Sequence, residues 1–391
     1  MSARRRALIV GAGIGGLAAG VALRRAGWEI RVYEKASSPR ELGFGVLLAP
    51  NALAALRELS VADTVTRASA APGKVEVRRL NGTVLRRFNA QIGGPSVVAL
   101  RPDLHGALLA AAGDDALRLG CEAVGFIHGH GRVAVHLQDG SHEDGDVLIG
   151  ADGIRSVIRA SLHPDEPPAR ASAYCALRGV AYGAGAHLGS LSALGYLDDG
   201  VEGGTTRAGQ DGVYWYLSLL ARDVPAGIRS PRTILDRLSP GFDRPLKDVI
   251  AATQPDDMRF DELYERDPLA SWGSGRVTLL GDAAHPMLPH TGQGAAQALE
   301  DGVALGLALS GNQDVEAALR RYEQVRSRRT RAFVHLGRRI ARVTTTRNRL
   351  VQALRTLAIR LVPASLVARS AARARDPHKE LRNWGTGEPG N

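Results

Sequence analysis

Three glycines near the N-terminus have the spacing of a turn that binds phosphate. Residues 11–16 read GAGIGG and lie between a short apolar run and a helical pattern. Gly11 permits a tight turn, Gly13 lets the backbone approach a pyrophosphate, and Gly16 allows the helix to pack closely on the preceding strand. The first free N–H groups of the helix, at Ile14 and Gly15, would then favour an anion.

An acidic residue follows at the position expected for a ribose contact. Glu34 ends the second apolar segment, and its carboxylate is expected to accept hydrogen bonds from the adenosine ribose, with Lys35 beside it. The same carboxylate would repel a 2′-phosphate, so NADP is not expected at this site. The alternative is a glycine-rich turn without a ligand.

A distant segment distinguishes between dinucleotides. Residues 276–300 read RVTLLGDAAHPMLPHTGQGAAQALE, where a buried strand leads to Gly281 and to Asp282, whose carboxylate is expected to bind a polyol. Gly292 and Gly294 precede a second helix, whose N-terminus would stabilise negative charge on a reduced flavin. Because NAD has no ribityl chain, the two segments together predict non-covalently bound FAD.

These segments require an α/β scaffold to position them. The pattern predicts a strand at 7–10, a helix at 15–25 and a strand at 29–33, which is a βαβ start. The fold class predicted is α/β, with a Rossmann-like FAD-binding domain, an inserted, mostly antiparallel β-sheet and C-terminal helices. The expected divisions are 1–166 and 267–345 for the FAD-binding domain, 167–266 for the substrate-binding sheet, and 346–391 for the C-terminal helices and tail.

The inserted sheet is expected to form the substrate wall. In a strand at 213–220, Tyr214 and Tyr216 share one face and Trp215 points to the other. Tyr214, Tyr216 and Arg207 are candidate pocket residues, and Arg178 and Arg207 are candidates for holding a substrate carboxylate or phenolate. Aromatic core packing and solvated arginines are the alternatives. The sequence identifies no catalytic base.

Three motifs in this order resemble the class A flavoprotein monooxygenases, the para-hydroxybenzoate hydroxylase fold, and especially the short salicylate, urate and 6-hydroxynicotinate hydroxylase-like members. The motifs are the turn at 11–16, Asp152-Gly153 within VLIGADGIRSVIR, and Gly281-Asp282 within LLGDAAHPMLPHTGQG, and the resemblance covers about residues 5–340. It implies that NADPH or NADH reduces FAD, that a flavin C4a-hydroperoxide forms with O₂, and that an aromatic or polyketide-like substrate is hydroxylated or epoxidised.

The resemblance also implies roles for single residues. Asp282 would hold the ribityl chain, Asp152 would lie behind the pyrophosphate, Arg101 would lie near the FAD phosphates, and the backbone of Val124 would contact adenine. The remaining implied contacts are Gly45, Val46 and Leu47 beside the flavin ring, Pro289 in the loop near the flavin face, and Gly292, Gln293, Gly294, Ala295 and Ala296 at its pyrimidine edge.

These roles have structural alternatives. Arg101 could pair at a helix start, Asp152 could be a turn residue before a helix, and His285 could be read as a general base. For the whole chain, the alternatives are an FAD-dependent dehydrogenase, reductase or halogenase on the same fold, or a non-enzymatic nucleotide-binding protein. The W-x-W-x-I-P pattern of tryptophan halogenases is absent.

Composition narrows the expected partners to a small-molecule substrate and O₂. The net charge of +10 comes almost entirely from arginine, but no nucleic-acid-binding motif accompanies it. Cys121 and Cys175 form no C-x-x-C pair, so no metal is predicted and a reducing, cytoplasmic location fits. No segment has the length of an uncharged membrane span, so stable membrane insertion is not expected. A monomer or homodimer is expected.

A basic segment near the C-terminus predicts a long amphipathic helix over about 314–342. Packing on the FAD-binding domain with one solvated face is the main interpretation. Loose membrane attachment, together with residues 359–367, is the alternative.

Overall fold

The computed structural model describes residues 4–38, 44–90, 94–129, 131–238, 241–311, 313–361 and 363. Its strands are β1 (Arg6–Val10), β2 (Glu29–Glu34), β3 (Gly45–Leu48), β4 (Lys74–Arg78), β5 (Val84–Asn89), β6 (Val97–Leu100), β7 (Leu117–Leu119), β8 (Ala123–His128), β9 (Val133–Leu137), β10 (His142–Gly145), β11 (Val147–Gly150), β12 (Arg170–Tyr182), β13 (Ala193–Asp198), β14 (Val201–Ala208), β15 (Gly212–Leu220), β16 (Met258–Glu265) and β17 (Val277–Leu279). Its α-helices are α1 (Ile14–Arg25), α2 (Pro50–Glu58), α3 (Ala62–Arg67), α4 (Arg101–Ala112), α5 (Val157–Leu162), α6 (Pro231–Leu238), α7 (Arg244–Ala252), α8 (Gly294–Leu309), α9 (Val315–Thr344) and α10 (Arg349–Leu361).

A five-stranded parallel sheet forms the scaffold, in the order β17-β11-β1-β2-β7. Strands β11 and β17 are buried along their whole length, as expected for strands covered on both faces. Val10 is level with Gly150, and Gly150 is level with Leu279. The turns that follow β1, β11 and β17 therefore lie side by side at the carboxyl edge of the sheet. This arrangement confirms the predicted Rossmann-like scaffold.

Small residues bring α1 and α8 into close contact. An ideal Cβ on Gly302 would lie 2.8 Å from the Cβ of Ala18, and one on Gly306 would lie 2.6 Å from the Cβ of Ala22. The side chain of Leu280 contacts the first turn of α1 in the same way, because a Cβ on Gly15 would lie 2.6 Å from it. The helix backbones consequently approach closely, and the segment after β17 is held against the start of α1.

The second large sheet has seven strands in the order β16-β12-β15-β14-β13-β4-β5. All neighbours are antiparallel except β13 and β4, which confirms the predicted mostly antiparallel insertion. One face of this sheet carries Trp215 and Leu217 into a core with α6 and α7. The β4–β5 hairpin lies within residues 1–166 and yet joins this sheet, while the exact domain divisions stay a prediction. A three-stranded sheet (β10-β9-β8) and the β3–β6 pair complete the architecture.

The long basic helix is α9, which spans 30 residues and confirms the amphipathic prediction. Asp314 starts the helix, since its carboxylate accepts the N–H of Ala317 at 3.0 Å. The buried face packs on α8 and carries Arg326, which is only 3% exposed. Of the predicted C-terminal part, α10 is a helix and residues 364–391 lie outside the described residues. No described helix is both long enough and apolar enough to cross a bilayer.

Candidate active site

The turn after β1 depends on contacts that only glycine allows. Gly11 has a φ of +101°, and an ideal Cβ there would lie 2.5 Å from the carbonyl oxygen of Ala151. A Cβ on Gly16 would collide with the carbonyl oxygen of Gly11. A Cβ on Gly13 would meet no atom of the described residues within 4 Å, and Gly13 gives α1 no side-chain cap. The space in front of α1 is therefore open to an anion such as a pyrophosphate.

Glu34 is fixed beside this turn. Its Oε2 accepts the N–H of Ala12 and its Oε1 accepts the N–H of Ala36, both at 2.9 Å. The carboxylate keeps further lone pairs, and the residue is partly exposed, so the geometry fits a ribose contact. Lys35 is exposed, and Val124 is 50% exposed at an irregularity of the β8–β9 pairing.

Asp282 faces a concave space. The residue is solvent-exposed, yet burial within the surrounding protein is the main cause of the rise in its pKa. A carboxylate that lines a recess is reached by solvent and is also surrounded by protein, which explains both its exposure and its raised pKa. The charges of His285 and Arg101 oppose the rise in this pKa, so the Arg101 guanidinium lies close enough to act on Asp282. An acceptor for a polyol and a cation for a phosphate thus share one recess.

A buried ionic network holds the loop after β17. Arg326 donates from Nε to Asp301 Oδ1 and from Nη1 to Glu300 Oε2, both at 2.6 Å. The other oxygen of Asp301 accepts the backbone N–H of Gly281 at 3.1 Å and contacts Nε2 of His285 at 2.5 Å. Burial favours a raised pKa for Asp301, but His285 and Arg326 outweigh it and lower that pKa to about 2. The loop is therefore anchored to α8 and α9 by a charged carboxylate.

His285 belongs to this network and not to a substrate surface. It is 2% exposed, pairs with Asp301 and packs against Trp272, with ring centroids 5.3 Å apart. This environment favours a structural role over the general-base alternative.

The loop before α8 presents a second helix N-terminus. Gln293 starts the helix without a side-chain cap, so its own side chain leaves the first N–H groups, from Gly294 onwards, open. Gln293 itself is held inward, because Asn51 Nδ2 donates to its Oε1 at 2.9 Å and to Glu300 Oε1 at 2.6 Å. Gly292 turns the chain with a φ of +61°. Pro289 and Gly292 are exposed, Ala295 is partly exposed and Ala296 is buried.

The carboxylate of Asp152 accepts hydrogen bonds from residues at the start of α5. Its Oδ1 accepts the hydroxyl of Ser156 at 2.5 Å, and its Oδ2 accepts the N–H of Val157 at 2.7 Å. These bonds fit the alternative in which Asp152 is a turn residue before a helix, with Ser156 as the N-cap of α5, and each oxygen of Asp152 keeps a further lone pair. The neighbouring Gly153, with a φ of +79°, has no described atom within 4 Å of an ideal Cβ.

Strand β3 connects the cofactor region to the seven-stranded sheet. An ideal Cβ on Gly45 would lie 2.6 Å from the ring of Tyr214, and Val46 and Leu47 are partly exposed on the same strand. The N–H of Arg101 donates to the carbonyl of Phe44 at 2.8 Å, which links β3 to the start of α4.

One face of the large sheet collects aromatic and charged side chains. Tyr214 and Tyr216 stack with centroids 6.0 Å apart, and Arg178 is level with Tyr216, so it shares their face. Both tyrosines are partly exposed, yet burial raises the pKa of each. This combination again describes a recess. Arg207 is level with Val213 and so belongs to the opposite face.

The prediction that Arg207 lines the pocket is therefore not supported by its position. Its Nη2 donates to the carbonyls of Gly185 and Gly189 at 2.9 Å, so the guanidinium clamps the loop before β13. The register of β14 on β15, which the sequence could not predict, puts Arg207 on the opposite face of the sheet from the two tyrosines.

The sequence missed a buried polar cluster on the tyrosine face. His290 Nε2 lies 3.0 Å from Ser218 Oγ and 3.7 Å from Glu202 Oε2. Burial, with the charge of Arg178, lowers the pKa of His290 to about 4. Burial raises the pKa of Glu202 to about 7, against a hydrogen bond from Thr344 and the charge of Arg355. Residues so far apart in the chain gave no local signal of this contact.

Comparison with known proteins agrees with this geometry. The FAD binding domain family matches residues 4–336. The chain is 34% identical to aurachin C monooxygenase/isomerase of Stigmatella aurantiaca, over 92% of this chain and 95% of that protein. It is 32% identical to 3-hydroxybenzoate 6-hydroxylase 1 of Aquipseudomonas alcaligenes, over 83% and 85% of the two chains. The structure of Klebsiella pneumoniae HpxO with FAD and uric acid superposes with a TM-score of 0.88 at 26% identity, covering 96% of this chain and 97% of that one.

The chain therefore belongs to the FAD binding domain family and, within it, to the class A flavoprotein monooxygenases. FAD is its cofactor, and the residues present fit that group. The open backbone at Gly13, the anchored Glu34 and the recessed Asp282 offer an anion site, a ribose acceptor and a polyol acceptor. Among the described residues, no group of three or more His, Cys, Asp or Glu side chains could hold a metal ion.

Two glycine variants separate ligand contact from folding. We expect Gly13→Ala to leave the unfolding midpoint of the apoprotein unchanged, because its methyl group meets no described atom, yet to weaken FAD binding about tenfold or more. Gly16→Ala should instead lower the unfolding midpoint, since its methyl group collides with Gly11. Thermal unfolding and FAD titration of both apoproteins measure these effects. Equal FAD affinity of Gly13→Ala and wild type would show that no phosphate lies there.

Glu202→Gln should remove a pH-dependent destabilisation. The pKa of folded Glu202 is about 7 and its ordinary value is 4.5, so the folded state binds more protons between these values and wild-type stability falls as the pH rises through them. We therefore compare the free energies of unfolding of the variant and of wild type by urea denaturation. Their difference, variant minus wild type, should increase by roughly 2–3 kcal/mol between about pH 5 and pH 8. The exposed Glu122→Gln is the control, and a pH-independent difference for Glu202→Gln would contradict the assignment.

Proposed function

We propose that this monooxygenase holds FAD across the carboxyl edge of the parallel sheet. In this arrangement the pyrophosphate lies at Gly13, the adenosine ribose at Glu34 and the ribityl chain at Asp282, with Arg101 close to the phosphates. The open turn and the recessed carboxylate support the arrangement, since each offers the matching chemistry without a competing protein partner in the described structure. Adenine would lie along the backbone of Val124, and the flavin ring between β3 and the N-terminus of α8.

The substrate would lie between that ring and the tyrosine face of the large sheet. The contact between Gly45 and Tyr214 carries this proposal, because it brings the cofactor strand directly against the sheet. Tyr214 and Tyr216 offer a flat apolar surface for an aromatic ring, and the charge of Arg178 would attract a carboxylate or phenolate. The relatives named above include a 3-hydroxybenzoate hydroxylase, whose named substrate is an aromatic acid, and this supports an aromatic substrate.

When bound, FAD would supply the redox chemistry by which electrons from NAD(P)H and one oxygen atom of O₂ reach the substrate. The chain would orient the aromatic ring against Tyr214 and Tyr216 and hold titratable groups near it. His290 stays neutral near pH 7 because burial lowers its pKa to about 4, so its imidazole is a weak base that can hold a substrate hydroxyl by a hydrogen bond. Glu202 lies beside His290 as a second titratable group, and burial raises its pKa to about 7.

Oxygen transfer is tested directly with labelled O₂. The purified protein is given NADH or NADPH with a panel of phenols, quinolones and polyketides, and consumption of the nicotinamide is followed. We expect one class to accelerate consumption and to gain one labelled oxygen atom per product, detected by mass spectrometry. Oxidised product without label, formed equally well without O₂, would favour the dehydrogenase alternative.

Arg178→Gln should weaken turnover of acidic aromatic substrates selectively. Loss of a charge-assisted contact of roughly 1.5–3 kcal/mol predicts a fall in kcat/KM of about tenfold or more, with FAD content unchanged. Arg232→Gln is the matched control, because Arg232 is an exposed residue of α6. Unaltered kinetics of Arg178→Gln for every acidic substrate would remove Arg178 from the proposed site.

A further inference from the structure

Helix α10 carries four leucines on the outside of the molecule. Leu350, Leu354, Leu357 and Leu361 are 68%, 57%, 52% and 69% exposed. Spacings of four, three and four residues place them on one helical face. A surface helix ordinarily turns such a stripe toward the core. Contiguous apolar surface of this kind marks a site of interaction.

Polar contacts on the other side fix this orientation. Gln352 Nε2 donates to Asp199 Oδ1 at 2.9 Å, and Arg86 Nη1 donates to the carbonyl of Ile359 at 2.6 Å. Arg355 Nη1 donates to the last carbonyls of α9, including that of Thr344 at 2.5 Å. These polar contacts hold the inward face, and the leucine stripe cannot rotate into the core without breaking them.

Positive charge lies beside the leucine stripe. Within α10 there are three arginines and no acidic residue, and Arg349 and Arg360 are exposed beside the stripe. The adjoining end of α9 adds exposed Arg339 and Arg342. Two copies of this chain meeting through the stripe would bring these arginines together, which opposes self-association. An anionic lipid surface matches both the charge and the apolar stripe.

We propose that α10 is a peripheral membrane-docking helix, which lies in the plane of an anionic bilayer with its leucine stripe in the headgroup region. This mode of binding requires no membrane-spanning segment. Thirteen residues with one apolar face and flanking arginines are typical of an interfacial helix. The proposal rests on the exposed leucines and the neighbouring arginines and does not depend on the substrate.

Vesicle co-sedimentation of the full-length, FAD-loaded protein tests the proposal. We expect binding to vesicles of phosphatidylcholine mixed equally with phosphatidylglycerol, and at least tenfold weaker binding to phosphatidylcholine alone or at high salt. The double variant Leu354→Asp with Leu357→Asp should lose at least tenfold in binding while retaining FAD. The control is Gln324→Asp with Ala332→Asp, which places the same charge at exposed positions of α9 and should bind vesicles better than the leucine variant.

Other occupants of the stripe give different results, and each would overturn the proposal. A dimer seen by analytical ultracentrifugation that the leucine variant converts to monomers would assign the stripe to a second copy. Vesicle binding that appears only after truncation at residue 363 would assign it to residues 364–391 of this chain. Equal binding of wild type and the leucine variant, or no binding to anionic vesicles, would leave the stripe without a membrane role.

Discussion

The pairing of one buried guanidinium with two adjacent carboxylates organises the cofactor side of this protein. Arg326, on α9, reaches Glu300 and Asp301 at the centre of α8. A lone charge in this position would be costly, and a buried pair repays that cost only with good geometry and further hydrogen bonds. Here each carboxylate accepts such hydrogen bonds, and the two carboxylates bind different parts of the site.

The two carboxylates act on two loops. Asp301 binds the backbone of Gly281 and so sets the position of the loop that carries Asp282. Glu300 binds Asn51, which also holds Gln293 at the start of α8. Burial favours a raised pKa for Glu300, but Arg326 and Arg329 outweigh it and lower that pKa, so the network remains charged. A polyol acceptor and an open helix N-terminus are thereby held in a fixed relation, which a flavin requires.

The sequence predicted the parts of the site that local chemistry determines. The glycines at 11–16 follow from a tight turn and a close helix contact, and Asp282 follows from a buried strand ending in Gly-Asp. Features that depend on strand register or distant contacts could not be predicted. Arg207 faces away from Tyr214 because of the β14–β15 register, and His290 meets Glu202 only after the sheet has formed.

Two further outcomes show where a motif alone is insufficient. Asp152 occupies the expected place after β11, but its carboxylate is engaged by the first residues of α5. The segment at 349–361 has ordinary amphipathic spacing, and only the packed structure shows that its leucines face outward. Spacing determines which residues share a face, whereas tertiary contacts determine where that face points.

The most direct test of the central claim is the FAD dissociation constant of the apoprotein with Asp282→Ala. Removal of a recessed carboxylate should leave the unfolding midpoint equal or higher, because burial disfavours its charge. The account predicts a dissociation constant at least about tenfold above that of wild type, since a charged acceptor for the ribityl chain is lost. An unchanged dissociation constant would contradict the claim that the network presents Asp282 to the flavin.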